Sequence, residues 1–260
     1  MLDAGARSAL AGTRFGDVRW FDEVDSTNRY LLDQARAGAP EGVVAVADHQ
    51  SAGRGRLGRT WVAPPGASLL MSVLLRPLLP PERLHLVNVA TALSAADACR
   101  SAAGVDPELK WPNDLVVGPR KLAGVLAEAD HSTRGHPAVV VGVGLNVNWP
   151  EELPAELVDI ATSLNRLCGH DVDRSQILVA LLEALEGRCG ALGSAAGIAR
   201  IGTEYRQRCT TLGSEVRVQL PDETFTGRAL DITDDGHLMV DVGMCMRAVT
   251  AGDVVHVRRV

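Results

Sequence analysis

The chain has 260 residues and a formal net charge of -6 at pH 7; 46% of its residues are hydrophobic and 22% are charged, as is typical of globular proteins. This length allows one large domain, with or without a second small one. The acidic balance argues against nucleic-acid binding, and no apolar run of about 18 residues predicts a membrane-spanning helix. The five cysteines are scattered and odd in number, which indicates a reducing, cytoplasmic location rather than a disulfide framework or a zinc site.

The first half of the chain mixes strands with helices. Residues 18–24 predict a strand, and the capping residues 25–28 then begin a helix over 29–37. Apolar runs predict strands at 42–47 and 68–75. A long apolar helix follows from Leu84 to Ala103, and then a strand pair at 121–129 and 138–148, joined by a turn at 131–136.

The pattern changes towards the C-terminus. Asp173 caps one predicted helix, and a second covers 198–208. After Thr211 the chain predicts only short strands separated by Pro, Asp and Gly turns, at 215–220, 225–230, 237–242 and 246–249. We therefore predict two domains, 1–210 and 211–260, of which the second is a small all-β barrel.

A basic segment stands out between the second and third predicted strands. Residues 53–59 contain three arginines and three glycines. Glycine allows a tight backbone turn and arginine fits phosphate or carboxylate, so we predict a flap that closes on an anion. The alternative is a solvated basic surface loop. The glycine spacing matches the dinucleotide fingerprint, but the following residues 61–66, Trp-Val-Ala-Pro-Pro-Gly, cannot start the helix that this fingerprint requires.

Three further segments combine polar residues with apolar strands. Residues 110–114 read Lys-Trp-Pro-Asn-Asp, residues 121–126 place one lysine before an apolar run, and residues 141–148 place glycines and asparagines inside a buried strand. Glycine inside a strand often marks close approach of a ligand. Taken singly, each segment has an ordinary explanation: a turn, an edge lysine and a bulge, respectively.

Taken together and in this order, segments 25–28, 50–56, 110–114, 121–124 and 142–146 closely resemble the biotin protein ligases. The resemblance covers essentially the whole chain. It implies an α+β fold, with a mixed-sheet catalytic domain of the class II tRNA synthetase and biotin ligase type and a C-terminal all-β barrel of the Src-homology-three type. Some members carry an N-terminal DNA-binding module. Only about 20 residues precede the first predicted strand, so we expect the type without it.

The resemblance implies a two-step reaction. Biotin and ATP, with Mg²⁺, would give biotinyl-5′-adenylate and pyrophosphate, and biotin would then pass to one lysine of the biotin carboxyl carrier domain of a carboxylase. We expect a cytoplasmic monomer that binds neither nucleic acid nor membrane. Two alternatives remain: a ligase for lipoate or another short-chain acid in the same fold, and a non-enzymatic biotin-responsive regulator.

The resemblance also implies roles for individual residues. The biotin-binding set is Ser26, Thr27, Asn28, Gln50, Arg54, Gly55, Arg56, Lys121 and Gly124. The ATP-binding set is Arg56, Arg59, Lys110, Asn113 and Asn146. The catalytic set is Lys121, Arg56 and Asp114. No metal ligand is assigned, because Mg²⁺ would be held mainly by the phosphates of ATP.

Overall fold

The computed structural model describes residues 2–130, 137–152, 155–220, 222–250 and 253–256, so the predicted turn at 131–136 lies outside the described residues. The helices are α1 (Ala4–Leu10), α2 (Thr27–Arg36), α3 (His85–Ala103), α4 (Ala155–Val158), α5 (Leu164–Cys168), α6 (Arg174–Ala191) and α7 (Ala195–Arg208). The strands are β1 (Val18–Val24), β2 (Val44–Gln50), β3 (Ser68–Leu75), β4 (Glu108–Lys110), β5 (Asp114–Val117), β6 (Arg120–Asp130), β7 (Ala138–Asn146), β8 (Glu215–Gln219), β9 (Thr224–Ile232), β10 (Leu238–Asp241), β11 (Met246–Val249) and β12 (Asp253–His256).

The larger sheet has seven strands in the order β1-β2-β3-β7-β6-β5-β4. The β1–β2 pair is parallel and the other pairs are antiparallel, which confirms the predicted mixed sheet. Every residue of β3 is buried, because β3 lies centrally with helices on both faces. Its continuous apolar run was therefore sufficient to predict its bounds.

The two faces of this sheet are covered unequally. Helices α3 and α6 pack together on one face and enclose the main hydrophobic core. Helix α2 packs on the other face, over β2, β3 and β7, with Leu31, Leu32 and Ala35 in a separate small core. The part of that face which α2 leaves uncovered forms a hollow.

Glycines form the floor of this hollow. Gly124 on β6 lies opposite Gly144 on β7, and Gly142 lies opposite Leu126. A Cβ on Gly142 would lie 2.2 Å from Asn28 Oδ1, and one on Gly144 would lie 2.5 Å from the Trp61 ring. These contacts leave no room for a side chain, so the glycines are required by the close packing above them.

The second sheet is antiparallel and has five strands in the order β11-β10-β9-β8-β12. It joins the first sheet through the segment that follows β4. Trp111 donates its backbone N–H to Thr211 Oγ1 at 3.0 Å and its indole N–H to the Gly236 carbonyl at 3.0 Å. The second sheet thus holds the connection between β4 and β5 from outside.

Several bounds differ from the sequence predictions. Helix α2 begins at Thr27, so Thr27 and Asn28 lie in its first turn, and Ser26 takes the N-cap position without a side-chain cap bond. Strand β2 covers Val44–Gln50 rather than 42–47, and α7 begins at Ala195 rather than at 198. Helices α1, α4 and α5, the short strands β4 and β5, and β12 were not predicted. Such short elements are recognised from the sequence only where an apolar run or flanking turn residues mark them, as they do for β1 and β10.

Candidate active site

The hollow forms a cavity of about 160 Å³ between the start of α2, the end of β2, the Arg/Gly loop (residues 53–61), the β4–β5 connection and the glycine floor. Every predicted site residue except Asn146 lines it. Among the described residues, its lining carries five cationic side chains and one carboxylate: Arg54, Arg56, Arg59, Lys110, Lys121 and Asp114. A chain of net negative charge therefore gathers positive charge at one place, which favours an anionic ligand.

One end of the cavity is a network of neutral polar groups. Gln50 Oε1 accepts from the Thr27 backbone N–H at 2.8 Å and lies 3.1 Å from Thr27 Oγ1. The buried Ser72 hydroxyl lies 2.7 Å from Thr27 Oγ1 and 2.6 Å from Asn28 Oδ1. These side chains hold one another in fixed positions and present donors and acceptors without net charge.

The Arg/Gly loop folds as a tight hairpin over the cavity. Trp61 N–H donates to the Gly53 carbonyl at 3.0 Å, and Gly55 N–H donates to the Arg59 carbonyl at 2.7 Å. A Cβ on Gly53 would lie 2.3 Å from the Trp61 carbonyl oxygen, so only glycine permits this closure. The tip of the hairpin is exposed at Leu57, which adopts a left-handed backbone with φ of 55°.

The hairpin places Trp61 against the glycine floor. Its ring contacts Gly124 and Gly144, and Lys121 Nζ lies 5.4 Å from the ring centroid. The indole nitrogen is buried and has no hydrogen-bond partner among the described residues. Trp61 thus forms one wall between the two ends of the cavity, a position that sequence reasoning missed because it depends on glycines more than 60 residues away in the chain.

The other end of the cavity is cationic. Lys121 Nζ forms an ion pair with Asp114 Oδ1 at 2.6 Å. Burial lowers the pKa of Lys110 below its usual range, partly offset by Asp114. Burial likewise lowers the pKa of the Arg56 guanidinium, and Arg59 adds to this effect. These cations lie close enough to repel one another, an arrangement that an anionic ligand would stabilise.

The backbone of Lys121 is fixed on both sides. Its N–H donates to the Ile160 carbonyl at 2.8 Å, and its carbonyl accepts from Thr162 N–H at 2.9 Å. Asp114 lies at the first position of β5, paired in register with Lys110 on one side and Gly124 on the other. At the cationic end, Lys110, Asp114 and Lys121 are therefore held by strands, whereas Arg56 and Arg59 approach from a loop.

The two predicted asparagines lie in different settings. Asn113 lines the cavity and donates its amide to the Val125 carbonyl at 2.8 Å. Asn146 does not line it: the side chain is buried and donates to the Thr162 carbonyl at 2.9 Å. By strand alternation Asn146 shares the face of β7 with Gly142 and Gly144, and its Oδ1 has no partner among the described residues. Its assignment to a nucleotide stays a prediction.

A larger cavity of about 550 Å³ adjoins the first at Arg56 and residues 111–113. It lies between the start of α3, helix α7 and the Thr233–His237 turn of the second sheet. Its charged lining is mixed and includes the Arg206–Asp234 ion pair at 2.8 Å. The smaller cavity, where the glycine floor adjoins a group of cationic side chains, is the stronger candidate for an active site.

Comparison with known proteins gives consistent matches. Residues 20–148 match the biotin/lipoate A/B protein ligase family, and residues 211–257 match the biotin protein ligase C terminal domain. The biotin–[acetyl-CoA-carboxylase] ligase of Mycobacterium tuberculosis is 40% identical over 254 residues, which cover 95% of this chain and 92% of that protein. The bifunctional ligase/repressor of Bacillus subtilis is 32% identical over 236 residues, 90% of this chain and 72% of that protein.

The solved structures agree. A biotin protein ligase from Aquifex aeolicus, determined in complex with biotin and ATP, superimposes with a TM-score of 0.80 at 29% identity. The superposition covers 94% of this chain and 100% of that one. The similarity therefore extends over both sheets.

Proposed function

Because this chain belongs to the biotin protein ligase family, we propose that its central cavity joins biotin to ATP and passes the biotinyl group to a lysine of a biotin carboxyl carrier domain. The observation that carries the proposal is the composition of the cavity. A neutral polar end, a glycine floor and a cationic end follow one another within one cavity. Biotin has the same order of parts: a polar ureido ring, an apolar body and a carboxylate.

We assign the neutral end to the ureido ring. Thr27 and Gln50 are held by mutual hydrogen bonds and can exchange one of these for a ligand without a change of charge. Ser26, Asn28, Arg54 and Gly55 complete this end. The glycine floor at Gly124 and the largely apolar Trp61 ring would then receive the apolar ring and tail of biotin.

We assign the cationic end to the reaction itself. When the biotin carboxylate attacks the α-phosphate, two anions meet and negative charge grows on the phosphoryl oxygens. Lys121 lies between the floor and the cationic group and can contact both anions. Arg56, Arg59 and Lys110 would stabilise the phosphates. Asn113 and the unpartnered Oδ1 of Asn146 are assigned to the nucleotide.

Asp114 has two proposed roles. In the first half-reaction its ion pair orients Lys121. In the second, the acceptor lysine must lose a proton before it attacks the adenylate, and among the described residues Asp114 is the carboxylate that lines the cavity. Among the described residues, no three His, Cys, Asp or Glu side chains group into a metal site. Mg²⁺ would accordingly enter with the phosphates of ATP.

The Arg/Gly loop would protect the intermediate. An acyl-adenylate is hydrolysed by water, and a hairpin closed over the cavity excludes it. Release of the loop would then admit the carrier domain and its lysine.

The remaining features of the proposal concern the chain as a whole. We propose a domain boundary near residue 210, where α7 ends and the second sheet begins. None of the helices in the described ranges has the length and apolar character needed to cross a lipid bilayer. We further propose a cytoplasmic location, for which the scattered free cysteines are the supporting observation, and a monomeric state.

The test is direct. The protein is incubated with a carrier domain, ATP, Mg²⁺ and biotin, and the carrier is weighed by mass spectrometry. A gain of one biotinyl group, lost when the acceptor lysine is replaced by arginine, supports the proposal. No gain with biotin but a gain with lipoate would replace it with the lipoate alternative.

A further inference from the structure

We propose that Glu128 is a positioning residue that holds the Arg/Gly loop closed and, with the same carboxylate, fixes the amide of Asn28. Its Oε1 forms an ion pair with Arg54 at 2.9 Å, and its Oε2 accepts from Asn28 Nδ2 at 2.8 Å. One side chain on the sheet thus contacts both the Arg/Gly loop that covers the cavity and the neutral polar end of the cavity.

The strand order explains why this contact matters. The loop leaves the end of β2, whereas Glu128 lies on β6, three positions along the sheet. Neighbouring strands are about 4.8 Å apart, so β6 lies roughly 14 Å across the sheet from β2, where the loop begins. The contact with Arg54 therefore joins the loop to a distant strand. The hairpin's own hydrogen bonds close it upon itself, and its last residue, Trp61, packs against Gly124 of β6. The ion pair between Arg54 and Glu128 adds a second, charged connection to β6 from the start of the hairpin.

The second contact orients a binding group. Asn28 donates through Nδ2 to Glu128 and to the Leu126 carbonyl at 3.2 Å, so its Oδ1 must face Ser72. Without an acceptor at position 128, Nδ2 would keep the longer bond to the Leu126 carbonyl, and the amide would be held less firmly in this orientation. One carboxylate therefore contributes both to closure of the loop and to the polarity of the ureido end.

The experiment uses two variants that separate the two contacts. Glu128→Gln keeps an oxygen that can accept from Asn28 but removes the charge that Arg54 needs. Glu128→Ala removes both. Asp130→Asn is the matched control, because Asp130 lies on the same strand and face and pairs at 2.6 Å with Arg36 of α2. All measurements use the whole chain.

Loop closure is measured first, without reference to catalysis. Trypsin should cut the loop at Arg54, Arg56 or Arg59 about three- to fivefold faster in Glu128→Gln than in the native chain, the upper range for a partly exposed ion pair. High salt should raise the native rate towards that of the variant, because salt screens exposed charges. Equal cleavage of Glu128→Gln and the native chain at low salt would overturn the closure role.

Catalysis is measured second and rests on the proposed biotin ligase activity. Glu128→Gln should release biotinyl-adenylate about three- to fivefold faster. Glu128→Ala should in addition raise the KM for biotin about tenfold, with the kcat of adenylate formation within about twofold of native. A fall in kcat without a change in KM would overturn the positioning role. If the native chain forms no adenylate, the activity itself is refuted, while the trypsin measurement still decides the closure role.

Discussion

Replacement of Lys121 by alanine tests the proposed chemistry most directly. The Lys121 ammonium pairs with Asp114 at 2.6 Å and lies over the Trp61 ring at 5.4 Å. Alanine would remove this charge from the cationic end of the cavity. The backbone hydrogen bonds of residue 121 to Ile160 and Thr162 do not involve the side chain and would remain.

The expected costs differ between folding and catalysis. The side chain is 36% exposed, so loss of the ion pair should lower the free energy of unfolding by at most about 1 kcal/mol. In the transition state the same charge faces developing negative charge inside a closed cavity, where one preorganised group contributes about 2–4 kcal/mol. The rate of adenylate formation should therefore fall roughly 30- to 900-fold.

The assay is single-turnover formation of biotinyl-adenylate, followed by biotin-dependent pyrophosphate exchange. Arg120→Ala is the control, since Arg120 is the neighbouring cation on β6 and its side chain is exposed. It should leave both rates unchanged. A folded Lys121→Ala protein that forms adenylate within threefold of the native rate would refute the assignment.

Three further predictions follow from the cavity. Arg56→Gly should still make adenylate but release it roughly 10- to 100-fold faster. The released adenylate should biotinylate albumin added as a bystander, which a streptavidin blot detects. Loss of adenylate synthesis with no labelling of albumin would contradict this. Because burial lowers the pKa of Lys110, its charge is lost as pH rises through a value below 10.5, and the KM for ATP should rise in that pH range. Lys110→Arg should move this rise to higher pH, because arginine keeps its charge. An unchanged pH profile would exclude Lys110 from ATP binding. Gly144→Ala should push the Trp61 ring aside and raise the KM for biotin, whereas Gly187→Ala, with open space around it, should not; equal effects would contradict the packing argument.

The residues that sequence could predict share one property: they lie in short local motifs. Lys110 and Asp114 stand four positions apart, and the hairpin from Gly53 to Trp61 closes on itself. Such local chemistry is visible without knowledge of the fold. The sheet then brings these motifs to one cavity.

The residues that sequence could not predict act across the sheet. Glu128 meets Arg54 only because β6 and β2 lie in one sheet with two strands between them. Ser72 looks like an ordinary residue of a buried strand, and its contact with Asn28 depends on where α2 crosses β3. Strand order and helix placement are set by long-range packing, which a local pattern does not contain.

Trp111 links the energetics of the two sheets. Its two hydrogen bonds, to Thr211 and to Gly236, fix the segment that carries Lys110 and Asn113. A ligand that binds this segment stabilises the segment's folded conformation. Because Trp111 bonds the segment to the second sheet, the second sheet is stabilised as well. We therefore predict that the small sheet is thermodynamically coupled to the proposed nucleotide binding: ATP should raise its melting temperature, and a chain cut after residue 210 should lose both anchors of this segment at once.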